Sequence, residues 1–241
     1  MLSADEQRIA DEAVQFARTH KKAIAKRIAD PSVHPAERHP VAVFMAGSPG
    51  AGKTESAREL IAKFEDEGVK VLCIDPDELR CEFSNYDGRN SYLFQGAVSI
   101  LVDKIIDLAY EWDQSFILDG TLSNPDRARK NIGRALRHGR TVQILYVYLD
   151  PLQAWEFVRA REIVEGRRIP PEEFIGQYFA AREVVNSLKR ELGPDISVDL
   201  LQKPIRGSER LFRAGIDQID NHIPETYDRK QLAELLGVID I

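Results

Sequence analysis

The sequence predicts an α/β fold, a three-layer sandwich around a mainly parallel five-stranded sheet with an N-terminal helix and a helical lid. Three observations lead there. Short apolar runs alternate with helix-length amphipathic segments, which implies parallel strands joined by right-handed crossovers. Runs such as Val41-Ala42-Val43-Phe44 are apolar without alternation, as expected of strands covered on both faces. The first run feeds directly into a glycine-rich loop followed by a helical pattern.

The elements follow in order. From Ser3 to about Asp30, Ile9, Ala13, Phe16, Ala17 and Ile24 recur at helical spacing among charges, and Ser3 with Glu6 forms a capping box. Pro31, Pro35 and Pro40 then enforce a loop. Strands are expected at Val41 to Ala46, Val69 to Ile74, Ser115 to Leu118, Thr141 to Leu149 and Ile196 to Leu201. Helices are expected at Thr54 to Glu67, Ser91 to Glu111, Pro125 to Gly139, Pro151 to about Glu165 and Pro171 to Leu192. Further helical pieces are expected at Glu209 to Asn221 and Asp228 to Leu236. This divides the chain into a helix and linker over 1–36 and a nucleotide-binding domain over 37–241, with a lid at about 151–192.

The 241 residues are 43% hydrophobic and carry a net charge of −6, which disfavours nucleic acid as a partner and favours small anionic ligands. Two cysteines, Cys73 and Cys81, are too few for a disulfide framework. No apolar run reaches the roughly 18 residues of a membrane span, and the acidic N-terminus is unlike an export signal. A cytoplasmic location and no membrane partner are expected.

Chemistry concentrates in four segments. Gly47-Ser48-Pro49-Gly50-Ala51-Gly52-Lys53-Thr54 matches the phosphate loop of nucleotide-binding proteins. Its glycines let backbone N–H groups converge on phosphates, Lys53 reaches the β- and γ-phosphates, and Thr54 offers a hydroxyl to Mg²⁺. ATP and Mg²⁺ are the expected cofactors. The second segment, Ile74-Asp75-Pro76-Asp77, releases two carboxylates from a strand end, with Arg80 one turn on. Asp77 is the candidate general base, with Asp75 and Arg80 facing the acceptor; helix capping is the alternative role for these acids. Third, Asp119-Gly120-Thr121 delivers Asp119 for Mg²⁺ or acceptor and Thr121 for phosphate or acceptor, or else caps the next helix. Asp103, on the preceding helix, faces either the acceptor or solvent. Fourth, Arg159, Arg161, Arg167 and Arg168 form a cationic cluster on the lid, of which at least two are expected to contact ATP.

These motifs together resemble the zeta-toxin family of phosphate-loop kinases, over roughly residues 41–205. The resemblance implies phosphorylation of UDP-N-acetylglucosamine at the 3′-hydroxyl of its amino sugar, with Asp77 as base and Asp103 and Asp119 on the sugar nucleotide. It implies catalytic roles for Lys53, for Arg161 (or Arg159) and for Arg168. It also implies an antitoxin that blocks the nucleotide site; the N-terminal helix is either a built-in substitute for one or a packing element. Two departures bear on the acceptor. Aspartates stand where the family has glutamates, at Asp103 and Asp119, and Leu122-Ser123-Asn124-Pro125 stands where it has an arginine. Competing readings keep the kinase but change the acceptor to a nucleoside, an antibiotic or a nucleic-acid end, or replace catalysis by an ATP-dependent switch.

Overall fold

A computed structural model describes residues 2–204, 209–224 and 227–238. Its centre is one sheet of strands β1 (Val41–Ala46), β2 (Leu72–Ile74), β3 (Phe116–Leu118), β4 (Thr141–Tyr148), β5 (Ile196–Gln202) and β6 (Leu211–Arg213). Their order is β2-β3-β1-β4-β5-β6, and only β6 runs antiparallel. The helices are α1 (Ala4–Ile28), α2 (Lys53–Asp66), α3 (Gln95–Glu111), α4 (Pro125–Arg137), α5 (Pro151–Glu165), α6 (Pro171–Leu192) and α7 (Arg229–Leu235).

Alternation along each strand builds two cores. Ala42, Phe44 and Ala46 of β1 face one cluster with α1, α3 and α4, while Val43 and Met45 face another with α2, α5 and α7. The same division runs through β4, where Ile144 and Tyr146 belong to the first cluster and Leu145 and Val147 to the second. Helix α6 serves both, through Val184 and Leu188 on one side and Phe174 and Phe179 on the other. The second half of the expected lid is therefore a core helix, and the exposed apolar residues Ile163 and Val164 mark the protruding end of α5.

The N-terminal helix is also part of this core. Ser3 caps it, accepting from the Glu6 N–H while Glu6 accepts from Ser3 N at 2.7 Å. Its buried face of Ala13, Ala17, Ile24 and Ala25 packs on α3 and the adjoining 3₁₀ turn Ser91–Phe94, as a packing element does. At its far end Gln114 Nε2 donates to the carbonyls of Ala29 and His34, at 2.8 and 2.6 Å. Residues 4–34 are thereby tied to the base of the sheet.

Two sequence expectations differ from what is found. The expected helix over Glu209 to Asn221 is β6 plus a 3₁₀ turn at Ile219–Asn221. Pairing with the open edge of β5, in register Leu200 with Arg213, outweighs local helix propensity, and Gly215 at φ 64° breaks any helix. Buried Asp199 accepts from the Gly215 N–H at 2.8 Å and fixes that turn. The sheet accordingly has six strands. The second strand is shorter than expected, beginning at Leu72. Met1 and Ile241, the outer limits of the two expected units, lie outside the described residues.

Candidate active site

The carboxyl ends of β1, β2 and β3 meet at one edge of the sheet, where ligands bind in open parallel α/β folds. From β1 the chain turns through residues 47–52 into α2, with Gly52 as its left-handed N-cap. Gly47 and Gly50 are required sterically. A Cβ at Gly47 would lie 2.3 Å from the Val147 carbonyl oxygen, and one at Gly50 2.2 Å from that of Ala154 on α5. Both also have positive φ. The loop thus wedges between β4 and α5, with the Gly47 and Ala51 N–H groups bonded to the Thr121 and Ser48 carbonyls and the α2 terminus directed at the site of an anion.

Lys53 is half-buried, and its Nζ donates to the Ser48 carbonyl at 2.6 Å. Burial pushes its ammonium down to about 8, with Asp119 opposing that drop and Arg167 and Arg161 adding to it. Thr54 Oγ1 donates to Asp119 Oδ2 at 2.5 Å, so the hydroxyl and carboxylate expected at a metal converge from two elements. The Asp119 N–H continues the ladder to the Ile74 carbonyl at 2.9 Å. Asp75, beside it at the end of β2, is raised to about 6, first by burial and then by the neighbouring Asp119. Its Oδ1 accepts from the Asp77 N–H at 2.7 Å.

Asp77 is clasped by cations. Arg80 and Arg167 each donate to it, on opposite carboxylate oxygens, and Arg161 lies at 4.0 Å. Arg80 is buried, with its Nε unpartnered. Arg167 comes from the α5–α6 turn, so it crosses the cleft. The Gly88 loop meets the Glu165 carbonyl, where a Cβ would come within 2.4 Å, and Gly166 contacts the Arg89 side chain. The two sides of the cleft meet along this seam, and the Asp77 side chain beside it remains 37% exposed.

Thr121 reaches the loop through its carbonyl, which accepts from the Gly47 N–H at 3.2 Å, while its hydroxyl bonds Ser123 at 2.8 Å. Leu122 between them adopts φ 54°, a left-handed conformation costly for a branched side chain. The remaining sequence candidates lie elsewhere. Asp103 pairs with Lys130 of α4 at 2.8 Å and lies 3.9 Å from Arg134, because α3 turns that face to α4 rather than to the cleft. Arg159 is exposed on α5, and Arg168 is directed toward Glu162 at 3.9 Å. Of the four lid arginines, Arg161 and Arg167 reach the acidic cluster. Lys203, unremarked in the sequence, follows β5, bonds Glu55 and packs on Gly52. Its place just beyond the carboxyl end of a strand was the available signal.

These features define a phosphate-loop nucleotide-binding α/β protein of the kinase type. A family model for zeta toxin matches residues 25–212, and the chain belongs to the zeta-toxin family. Solved structures agree in fold. The PezAT chromosomal toxin–antitoxin system of Streptococcus pneumoniae aligns at 15% identity and TM-score 0.56, over 84% of this chain and 79% of that one. The complex AvrRxo1-ORF1:AvrRxo1-ORF2 with sulphate ions aligns at 16% and 0.58, over 97% and 80%. Its form with ATP aligns at 16% and 0.57, over 92% and 74%. Comparison with curated protein sequences finds no match.

Proposed function

We propose that this protein transfers the γ-phosphoryl group of ATP to a hydroxyl of a sugar nucleotide such as UDP-N-acetylglucosamine, as a bacterial toxin acting in the cytoplasm. The observation that carries this reading is the convergence of Lys53, Asp77, Arg161 and Arg167 around one cleft at the end of the phosphate loop. A structural neighbour was solved with ATP and others with partner proteins, which supports ATP as donor and an antitoxin as partner here.

In this reading the N–H groups of residues 50–54 and Lys53 hold the β- and γ-phosphates. Thr54 and Asp119 would hold Mg²⁺. Two protein oxygens suffice, because the phosphates and water complete its shell, and when bound it neutralises charge on the transferring oxygens. Asp77 takes the proton of the attacking hydroxyl, and Arg80 and Arg167 fix the carboxylate that receives it. Arg161 and Arg167, brought by α5 and its turn, offset charge spreading onto the γ-phosphoryl oxygens. Asp75 and Thr121 border the space left for the acceptor.

A second reading changes the acceptor and keeps the chemistry. It is favoured by Asp103, engaged with α4, and by Ser123, bonded to Thr121, near where the family carries an arginine. The test is mass spectrometry of reactions holding protein, ATP, Mg²⁺ and UDP-N-acetylglucosamine, with Lys53→Ala and Asp77→Asn as controls. A product heavier by one phosphoryl group, absent in both controls, is expected. Its absence from ATP-binding protein would sink the sugar nucleotide, and a cell metabolite extract then replaces it.

A further inference from the structure

Helix α1 lies almost wholly outside the matched family region, which begins at residue 25 near its end. Most of its contacts are with α3, and a second group reaches residues 82–96 beside the cleft. Arg27 bonds Glu82 at 2.6 Å, Glu6 accepts from the Tyr92 hydroxyl, and Val14 lies against Gly96. Between them runs an unbroken aromatic series. The Phe16 ring meets Phe83 at 5.6 Å, Phe83 meets Phe94 at 5.3 Å, and Phe94 meets Tyr86 at 5.7 Å. The backbone ties the series to Arg80: the Phe83 N–H donates to the Arg80 carbonyl at 3.1 Å, and the Tyr86 N–H to the Phe83 carbonyl at 3.0 Å. The same segment carries Gly88 and Arg89, which meet the α5 end at Glu165 and Gly166.

We infer that α1 is an intramolecular buttress for the acceptor side of the cleft, with Phe16 a positioning residue that acts through Phe83, Phe94 and Tyr86 on Arg80 and the α5 end. The physical basis is the short 3₁₀ turn that bears Arg80, residues 78–82. It has no side-chain cap, and its buried Leu79 lies in the same core cluster as Phe83 and Phe94, so its placement depends on what packs behind it. Two of these ring contacts are edge-to-face and the Phe83–Phe94 pair is tilted, and close-packed rings pass a displacement on because no free volume absorbs it. The role of Arg80 toward an acceptor rests on the proposed kinase reading; the buttress itself does not.

The test uses the full chain, with Phe16→Ala and Phe16→Tyr. Phe16 is 36% exposed, so both variants are expected to fold. Amide hydrogen exchange is read by mass spectrometry, and nucleotide affinity by titration with a fluorescent ATP analogue. In Phe16→Ala, exchange across 83–94 and 165–168 should quicken about tenfold, while residues 53–60 and the nucleotide affinity hold. Phe16→Tyr should restore the slow exchange. Faster exchange confined to α1, or spread evenly over the chain, would overturn the inference, because a merely structural helix frays alone or weakens everything. Failure of the unaltered protein to bind the ATP analogue would count against the kinase reading, and the exchange pattern would still decide the role of α1.

Discussion

Asp75→Asn should make the ligand-free protein more stable at pH 7 while impairing its function. In the fold the Asp75 carboxyl is raised from an ordinary value of 3.8 to about 6, chiefly by burial and then by Asp119 and Glu78. A group held above its unfolded value contributes stability that is full below that value and lost as pH rises through the folded one. At pH 7 the ionised carboxylate therefore costs up to about 3 kcal/mol, the equivalent of the difference between 3.8 and about 6. Asparagine removes that charge and keeps Oδ1, so the bond from the Asp77 N–H at 2.7 Å survives. Local relaxation reduces the expected gain to about 1–3 kcal/mol. Urea unfolding, in chelator without nucleotide, measures it at pH 7 and again near pH 4. The advantage should shrink toward zero at the lower pH, where the native side chain is already neutral. Equal stability at pH 7, or a gain independent of pH, would refute the reasoning.

Other outcomes follow from the same geometry. Gly50→Ala drives a methyl to 2.2 Å from the Ala154 carbonyl at φ 74°, and calorimetry should show a loss of about 2–4 kcal/mol together with loss of ATP binding. Because Lys53 titrates near 8 in the ligand-free fold, the ATP dissociation constant should climb above that pH, approaching tenfold per pH unit. Lys53→Arg, which holds its charge, should flatten that climb in isothermal titration. Arg167→Ala removes the cation that bridges the cleft to Asp77. It should slow single-turnover transfer by about 10²–10³-fold while changing ATP affinity far less.

Strands β1 and β4 and the phosphate loop were legible in the sequence because each carries its own local signal: continuous apolar residues, or glycines whose conformations nothing else adopts. Ser3 likewise announced the start of α1 through Glu6. Asp77 could be proposed because it follows closely on a strand that ends at the ligand edge of the sheet. The arginine that reaches Asp77 across the cleft, Arg167, could not be told from Arg168 beside it. Their difference is one of direction around a turn, which no spacing rule encodes. Asp103 was misleading for a related reason, since helical periodicity gives its face but not which neighbour that face meets. The helix expected over 209–221 gave way to β6 because an open edge on β5 is a feature of the assembled sheet, invisible to a local window.

Several polar groups of the cleft are held by one another: Lys53 by the Ser48 carbonyl, Thr54 by Asp119, Glu55 by Lys203, and Asp77 by Arg80 and Arg167. Nucleotide entry is thus an exchange of partners rather than the filling of a bare positive bowl. Part of the attraction of each cation is spent in breaking its internal bond, so selectivity falls to whichever ligand can satisfy all the released groups at once. Free phosphate frees one or two of them and leaves the rest stranded. On the proposed kinase reading, a nucleoside triphosphate with its acceptor would satisfy the full set, making the cleft responsive to completeness of occupancy more than to charge alone.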